Sequence, residues 1–154
     1  MARLPPAEEQ VWPNLAANGY EVKSEKTLFT DPNCTKHYNC IAFAADVDTA
    51  WWEPDPQGNW DWPIAERKMT LECYVKAYES IGYQACDNKD KEDGFEKIVI
   101  YTLNDKPTHA AKQLSDGRWK SKLGQREDIE HNTPEGVESP LYGTAHQYMR
   151  RPIK

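Results

Sequence analysis

The sequence lacks the features that place a protein in a membrane or in an oxidising compartment. No stretch of its 154 residues approaches the apolar length that spans a bilayer. The first nine residues lack the apolar core of a secretion signal. Four cysteines are too few for a disulfide scaffold in a chain of this length. We therefore expect a cytoplasmic protein with reduced thiols and no membrane partner, although a specialised secretion route would leave no mark in the sequence.

An excess of positive charge is also missing. The chain has 19 lysines and arginines against 25 aspartates and glutamates, a net charge of −6. This balance argues against nucleic acid as the main partner. The length allows one domain with a core, and no internal repeat or linker is visible. We predict a single domain over 1–154, with 1–30 as a peripheral N-terminal segment.

Aromatic residues are abundant, and four of the six tryptophans lie within twelve residues. They are Trp51, Trp52, Trp60 and Trp62. Three prolines in 51–63 exclude a helix or a central strand, so we expect an ordered loop. The indoles either form an aromatic wall beside a cleft or simply cover the core.

A cysteine stands at the front of a short apolar run, 39–46, that is typical of a helix. The N-terminus of a helix stabilises a thiolate and offers N–H groups to an oxyanion. Cys40 is therefore a candidate nucleophile. The competing interpretation is a small buried core residue, the commonest fate of a free cysteine.

The remaining pattern predicts a helix followed by strands. Pro63 and Gly82 flank a helical stripe, which predicts a helix over 65–81. Four strands are predicted over 96–103, 108–114, 118–123 and 143–150, with a helical turn over 125–131 and a loop over 134–140. The fold class is α+β, with N-terminal helices packed on a C-terminal antiparallel sheet.

A nucleophilic cysteine needs a base within hydrogen-bond reach. Of the four histidines, His109 is the one set firmly in a predicted strand before a hairpin. Its small neighbours Ala110 and Ala111 leave the imidazole room to meet another element. We predict that His109 is the base for Cys40.

At these residues the sequence resembles the papain-like bacterial cysteine hydrolases, the group that holds NlpC-type and CHAP-type peptidases and amidases. The matching stretches, in order over about 36–152, are Tyr38-Asn39-Cys40-Ile41-Ala42-Phe43, Lys97-Ile98-Val99-Ile100-Tyr101, Thr108-His109-Ala110-Ala111, Trp119-Lys120-Ser121-Lys122-Leu123-Gly124, His131 and Tyr142-Gly143. The resemblance implies a papain-like fold and a Cys–His site. One departure is that Lys97 holds the slot where NlpC-type enzymes often keep the catalytic histidine. His109 then falls where those enzymes keep their third, orienting residue.

The third catalytic residue depends on the hairpin at 115–117. A two-residue turn puts Lys122 on the face of His109, whereas a three-residue loop puts Ser121 there. A serine hydroxyl can accept from imidazole and a lysine cannot, so Ser121 is preferred. Its rivals lie in the following segment and are Asp128, Glu130 and His131.

The favoured hypothesis is a thiol hydrolase that cleaves an amide bond in a peptide or protein, as peptidase, amidase, deamidase or acyltransferase, without a cofactor. Cys40 attacks the carbonyl, His109 moves the proton, and Asn39, His37 or Asn33 helps to bind the oxyanion. The tryptophan loop bounds the substrate groove. If the protein is a toxin, an immunity-type inhibitor is its second partner.

Two alternatives remain at this stage. The first is a catalytically inactive papain-like module that binds a peptide, glycan or protein through the tryptophan loop. The second is a zinc site in Cys34-x-x-His37-x-x-Cys40, completed by Cys73 or Cys86, although the usual second ligand pair is missing. We predict no metal.

Overall fold

The computed structural model of the protein describes residues 38–47, 49–122, 128–131, 133–138 and 142–153, with the backbone alone at 128 and 129. The predicted peripheral segment 1–30 and the predicted site residue His37 lie outside these residues.

The described chain forms one six-stranded antiparallel sheet with few helices, which confirms the α+β class. The strands are β1 (Gln84–Cys86), β2 (Phe95–Leu103), β3 (Lys106–Gln113), β4 (Trp119–Lys122), β5 (Asp128–His131) and β6 (Thr144–Pro152). Their order across the sheet is β1-β6-β2-β3-β4-β5, and each neighbouring pair is antiparallel. The β-branched and aromatic run of β2 fits this central position, where both faces are buried.

Two α-helices precede the sheet in the described residues, α1 (Cys40–Ala44) and α2 (Leu71–Glu79). Asn39 caps α1 and Thr70 caps α2, each accepting an N–H of the first turn. The Tyr78 hydroxyl on α2 donates to the Ile41 carbonyl on α1 at 2.8 Å, which ties the helices together. Within this part of the chain, neither helix is long and apolar enough to cross a membrane.

The sheet is buried on both faces. On the helix face, Ile98, Ile100, Ala110 and Met149 pack with the helices in one hydrophobic cluster. The opposite face carries residues that alternate with these, namely Val99, Tyr101, His109, Ala111, Trp119 and Ser121. A 3₁₀ helix, Pro134–Val137, covers that face, and the Tyr101 hydroxyl donates a hydrogen bond to its Pro134 carbonyl. The sheet therefore separates two cores.

Several predicted boundaries need correction. Helix α2 begins at Leu71 rather than at 65, because Thr70 is its cap and the Arg67 guanidinium instead binds the tryptophan loop. Residues 128–131 form strand β5 along β4, not a helical turn. The segment 134–137, predicted as loop, is the 3₁₀ helix. Strand β1 was not predicted, and its three residues are mostly exposed.

Candidate functional site

Asn39 joins the start of α1 to the tryptophan loop. Its Oδ1 accepts the Ala42 N–H at 3.1 Å and the Trp52 N–H at 3.2 Å. Its Nδ2 donates to the Trp52 carbonyl at 2.7 Å. The side chain is therefore committed to building the loop, and not to the predicted oxyanion.

The loop itself is held by polar contacts near the protein surface. Arg67 donates to the Trp60 carbonyl at 3.1 Å and forms an ion pair with Asp55 at 3.0 Å. Asp55 in turn accepts the N–H groups of Asn59 and Trp60. Trp52 and Asp61 form an isolated bridge across the loop. These bonds fix the indoles in place and confirm the predicted ordered loop.

A pocket of about 230 Å³ opens where α1, the tryptophan loop and the start of β3 meet. Its lining includes Asn39, Cys40, Trp51, Trp52, Tyr74 and Tyr142. The predicted nucleophile and two of the four predicted tryptophans therefore share one cavity. Trp60 and Trp62 lie behind it, because Trp60 packs on Trp51 at 5.6 Å between ring centroids and Trp62 packs between Trp52 and Tyr74.

The sulfur of Cys40 has a mixed electrostatic environment. Burial raises the pKa of the Cys40 thiol to about 11, although the backbone N–H groups of Ala110 and Ile41 and the charge of Lys122 act in the opposite direction. Lys122 is itself buried and lies over the Tyr38 ring, 5.0 Å from its centroid. At neutral pH Cys40 is therefore a protonated thiol with donors already arranged around it.

The structure does not bring His109 to Cys40. Cys40 meets the backbone of Ala110, whose side chain belongs to the helix-face core. The neighbouring His109 projects from the other face of β3, where its ring stacks on Tyr142 at 4.1 Å and lies against Tyr101. Both His109 ring nitrogens are buried without a hydrogen-bond partner among the described residues. The predicted Cys40–His109 pair must therefore be corrected, since alternation along β3 turns the two groups apart.

Ser121 also has a different partner from the predicted one. The 115–117 hairpin is the three-residue alternative, with Leu114 N–H donating to the Arg118 carbonyl, so Ser121 does share the face of His109. Its hydroxyl, however, bonds His131 Nε2 at 2.8 Å. His131 Nδ1 lies 2.7 Å from the Thr133 carbonyl, to which it donates. Ser121 and His131 thus form a buried pair, and Ser121 does not orient His109 as predicted.

Buried imidazoles on this face are kept neutral. Burial lowers the pKa of His131 to about 4, and burial together with the nearby His131 holds the pKa of His109 well below its ordinary value. Both rings are enclosed on the face of the sheet opposite Cys40.

Several pocket residues escaped the sequence reasoning, among them Glu53, Met69 and Tyr74. Glu53 and Tyr74 looked like ordinary members of the loop and of the helix stripe. The signal available was the Trp51-Trp52-Glu53 run, where a carboxylate follows two indoles. No group of three metal-ligand side chains occurs in the part of the chain that the structure describes. Cys34 and His37 of the zinc alternative lie outside it.

The architecture is thus an α+β protein with a small aromatic pocket beside a helix start and a two-sided sheet. The chain belongs to a family described as a domain of unknown function (DUF7689), whose model matches residues 29–150. No curated protein and no solved structure matches the chain.

Proposed function

We propose that this protein is a binding module that recognises a peptide or protein partner through the Cys40 pocket. The observation that carries the proposal is an aromatic cavity built around a protonated thiol, with the predicted base His109 facing the other side of the sheet. The papain-like resemblance would then describe a scaffold whose cleft serves recognition.

The size and lining of the pocket support a single side chain as the bound group. Its volume of about 230 Å³ is below the roughly 300–1,000 Å³ of pockets for drug-sized ligands. Trp51, Trp52, Tyr74 and Tyr142 contribute large apolar area with few rotatable bonds. Because Asn39 and Arg67 already fix the loop, little ordering is left for the partner to induce.

Selection from a displayed peptide library, followed by fluorescence anisotropy with the selected peptides, tests this proposal. Met69 lines the pocket and is 46% exposed, so Met69→Trp should fill the entrance without burying a new group. Leu103→Trp places the same indole at an exposed position outside the lining and serves as the matched control. We expect Met69→Trp to weaken binding by at least about tenfold, the effect of 1.4 kcal/mol, and Leu103→Trp to leave it unchanged. Equal binding by both variants would contradict the proposal.

A thiol hydrolase acting on an amide bond is the second candidate. The N–H groups and the Lys122 charge around the Cys40 sulfur favour it, because they would stabilise a thiolate once the pocket is dehydrated and occupied. This reaction would need a base other than His109 as it stands here. A peptide carrying an electrophile in place of the scissile amide should then label Cys40 faster than free iodoacetamide does. Labelling at equal rates would count against catalysis.

A further inference from the structure

The lining of the Cys40 pocket combines aromatic rings with one carboxylate. Trp51, Trp52, Tyr74 and Tyr142 contribute the rings, and Glu53 contributes the charge. Aromatic rings attract cations through their negative faces, most strongly when water is excluded. This combination favours a positively charged occupant over a neutral one.

The carboxylate of Glu53 forms no ion pair with the residues that the structure describes. Among the described residues its oxygens have neither an ion-pair partner nor a hydrogen-bond donor, although the Glu53 backbone is bonded to Asp61. Arg67 donates to the Glu53 backbone carbonyl at 3.5 Å, but its ion pair is with Asp55 at 3.0 Å. Lys122 lies behind Cys40 over Tyr38 and does not line the pocket. Glu53 also acts on the pocket wall, since its charge adds to burial and to Cys40 in raising the pKa of Tyr74.

Three other polar side chains of the lining already have hydrogen-bond partners, whereas the indole N–H of Trp51 is buried without one among the described residues. Asn39 is bonded to Trp52, the Thr108 hydroxyl donates to the Tyr142 carbonyl, and the Tyr74 hydroxyl points to the Met69 sulfur at 3.6 Å. An unmodified ammonium has three N–H donors to satisfy. Glu53 is the one charged acceptor among the described residues of the lining, and unsatisfied donors are costly when buried. A cation with few or no N–H donors fits better.

Resting on the proposed function, we propose that the Cys40 pocket binds a methylated ammonium group, presented by a methylated lysine side chain of the peptide or protein partner. The aromatic rings would surround the methyl groups, and Glu53 would balance the charge. A net charge of −6 on the protein favours the approach of such a cationic segment.

Titration followed by the indole N–H signals in NMR tests the proposal with three probes, of which the trimethyl form and its neutral isostere have nearly equal shape. They are Nα-acetyl-lysine amide, its trimethyl-lysine form, and the neutral isostere in which carbon replaces the quaternary nitrogen. We expect the trimethyl-lysine probe to bind at least about tenfold more tightly than either of the others. Equal binding of the neutral isostere would overturn the cation and leave peptide binding standing. Equal binding of free tetramethylammonium would overturn the lysine side chain as the source.

Two pairs of variants locate the effect. Glu53→Gln removes the pocket carboxylate, while Glu79→Gln removes an exposed carboxylate of α2 and changes the net charge equally. Trp51→Leu removes a lining ring, while Trp60→Leu removes the tilted ring that packs on it from outside the lining. Binding of the trimethyl-lysine probe should fall about tenfold in the first member of each pair and stay within about twofold in the second. Equal loss in both members of either pair would overturn the assignment.

Discussion

The two buried histidines of the face opposite the helices should make the fold acid-sensitive. His109 and His131 are neutral in the folded protein because burial lowers both pKa values, that of His131 to about 4. In the unfolded chain both return to an ordinary pKa of about 6.5. Below that pH the unfolded state binds more protons than the folded state, so the free energy of unfolding must fall as pH falls.

The size of the effect follows from linkage. Each histidine that stays neutral in the fold lowers the free energy of unfolding by about 1.4 kcal/mol for every pH unit below its unfolded pKa, or by about 2 kcal/mol between pH 6.5 and 5. Together His109 and His131 should remove about 4 kcal/mol by pH 5, a large part of the roughly 5–15 kcal/mol that stabilises a typical domain. The pKa values of Asp55, Glu92 and Glu96 are lowered in the fold, so these carboxylates add to the loss of stability only when the pH falls below the ordinary carboxyl pKa of about 4.

Urea unfolding followed by tryptophan fluorescence at pH 7, 6 and 5 measures this loss. The variant His109→Phe keeps an aromatic ring against Tyr142 and removes one titrating group, so the loss should shrink to about half, or about 2 kcal/mol. The substitution His146→Gln, at an exposed position on β6, controls for the removal of one histidine as such. A free energy of unfolding that stays flat between pH 7 and pH 5 would refute neutral, buried imidazoles.

Two further predictions concern the segments that shape the pocket. Gly143 has φ +75°, and a Cβ there would overlap the Thr102 backbone, so Gly143→Ala should lower the free energy of unfolding by at least about 4 kcal/mol. Gly94 has φ +82° but faces open space, so Gly94→Ala should lower it by only about 1–2 kcal/mol. Thermal unfolding measures both losses. Similar losses would show that the contact with Thr102 is absent. Asn39→Ala removes three hydrogen bonds, so it should lower the free energy of unfolding by about 2–4 kcal/mol and expose the indoles to acrylamide quenching. The control Thr70→Ala removes only the α2 cap, so it should lower the free energy of unfolding by about 1 kcal/mol without added quenching. Unchanged quenching in Asn39→Ala would contradict its role in fixing the loop.

The central strands were accessible from the sequence because local residue preference and burial agree there. The run Lys97-Ile98-Val99-Ile100-Tyr101 is β-branched and aromatic, and it lies at the centre of the sheet as expected. Strand β5 was missed because its pairing with β4 is set by tertiary contact, not by the pattern of 128–131. Residues 65–70 of the predicted helix are not helical, because Thr70 offers a better cap than Pro63 and the helix begins after it.

The candidate site was predicted in part. Cys40, Trp51 and Trp52 do meet in one pocket. The failure concerns His109, and it has a physical cause. Both faces of β2 and β3 are buried, and neither sequence shows the alternation of apolar and polar residues that would reveal which face the helices cover. One residue of difference along β3 then decides whether an imidazole or an alanine faces Cys40.

Lys97, which stands where NlpC-type enzymes often keep the catalytic histidine, has a structural role in this fold. It is fully buried on the face opposite the helices, with its ammonium bonded to Glu92 at 2.8 Å and to the Asn88 side chain at 2.7 Å. A charge held in this way anchors the loop before β2. Its position, like that of His109, is turned away from Cys40.

The pH dependence of Cys40 alkylation by iodoacetamide, read by mass spectrometry, tests most directly the claim that this pocket binds rather than cleaves. Cys86, a half-buried free thiol outside the pocket, reports reagent access in the same sample. With a thiol pKa of about 11, Cys40 should stay unlabelled at pH 6 and its rate should still be rising at pH 10. Rapid Cys40 labelling at pH 6, on a rate plateau that extends to pH 8, would reveal a thiolate and contradict the account.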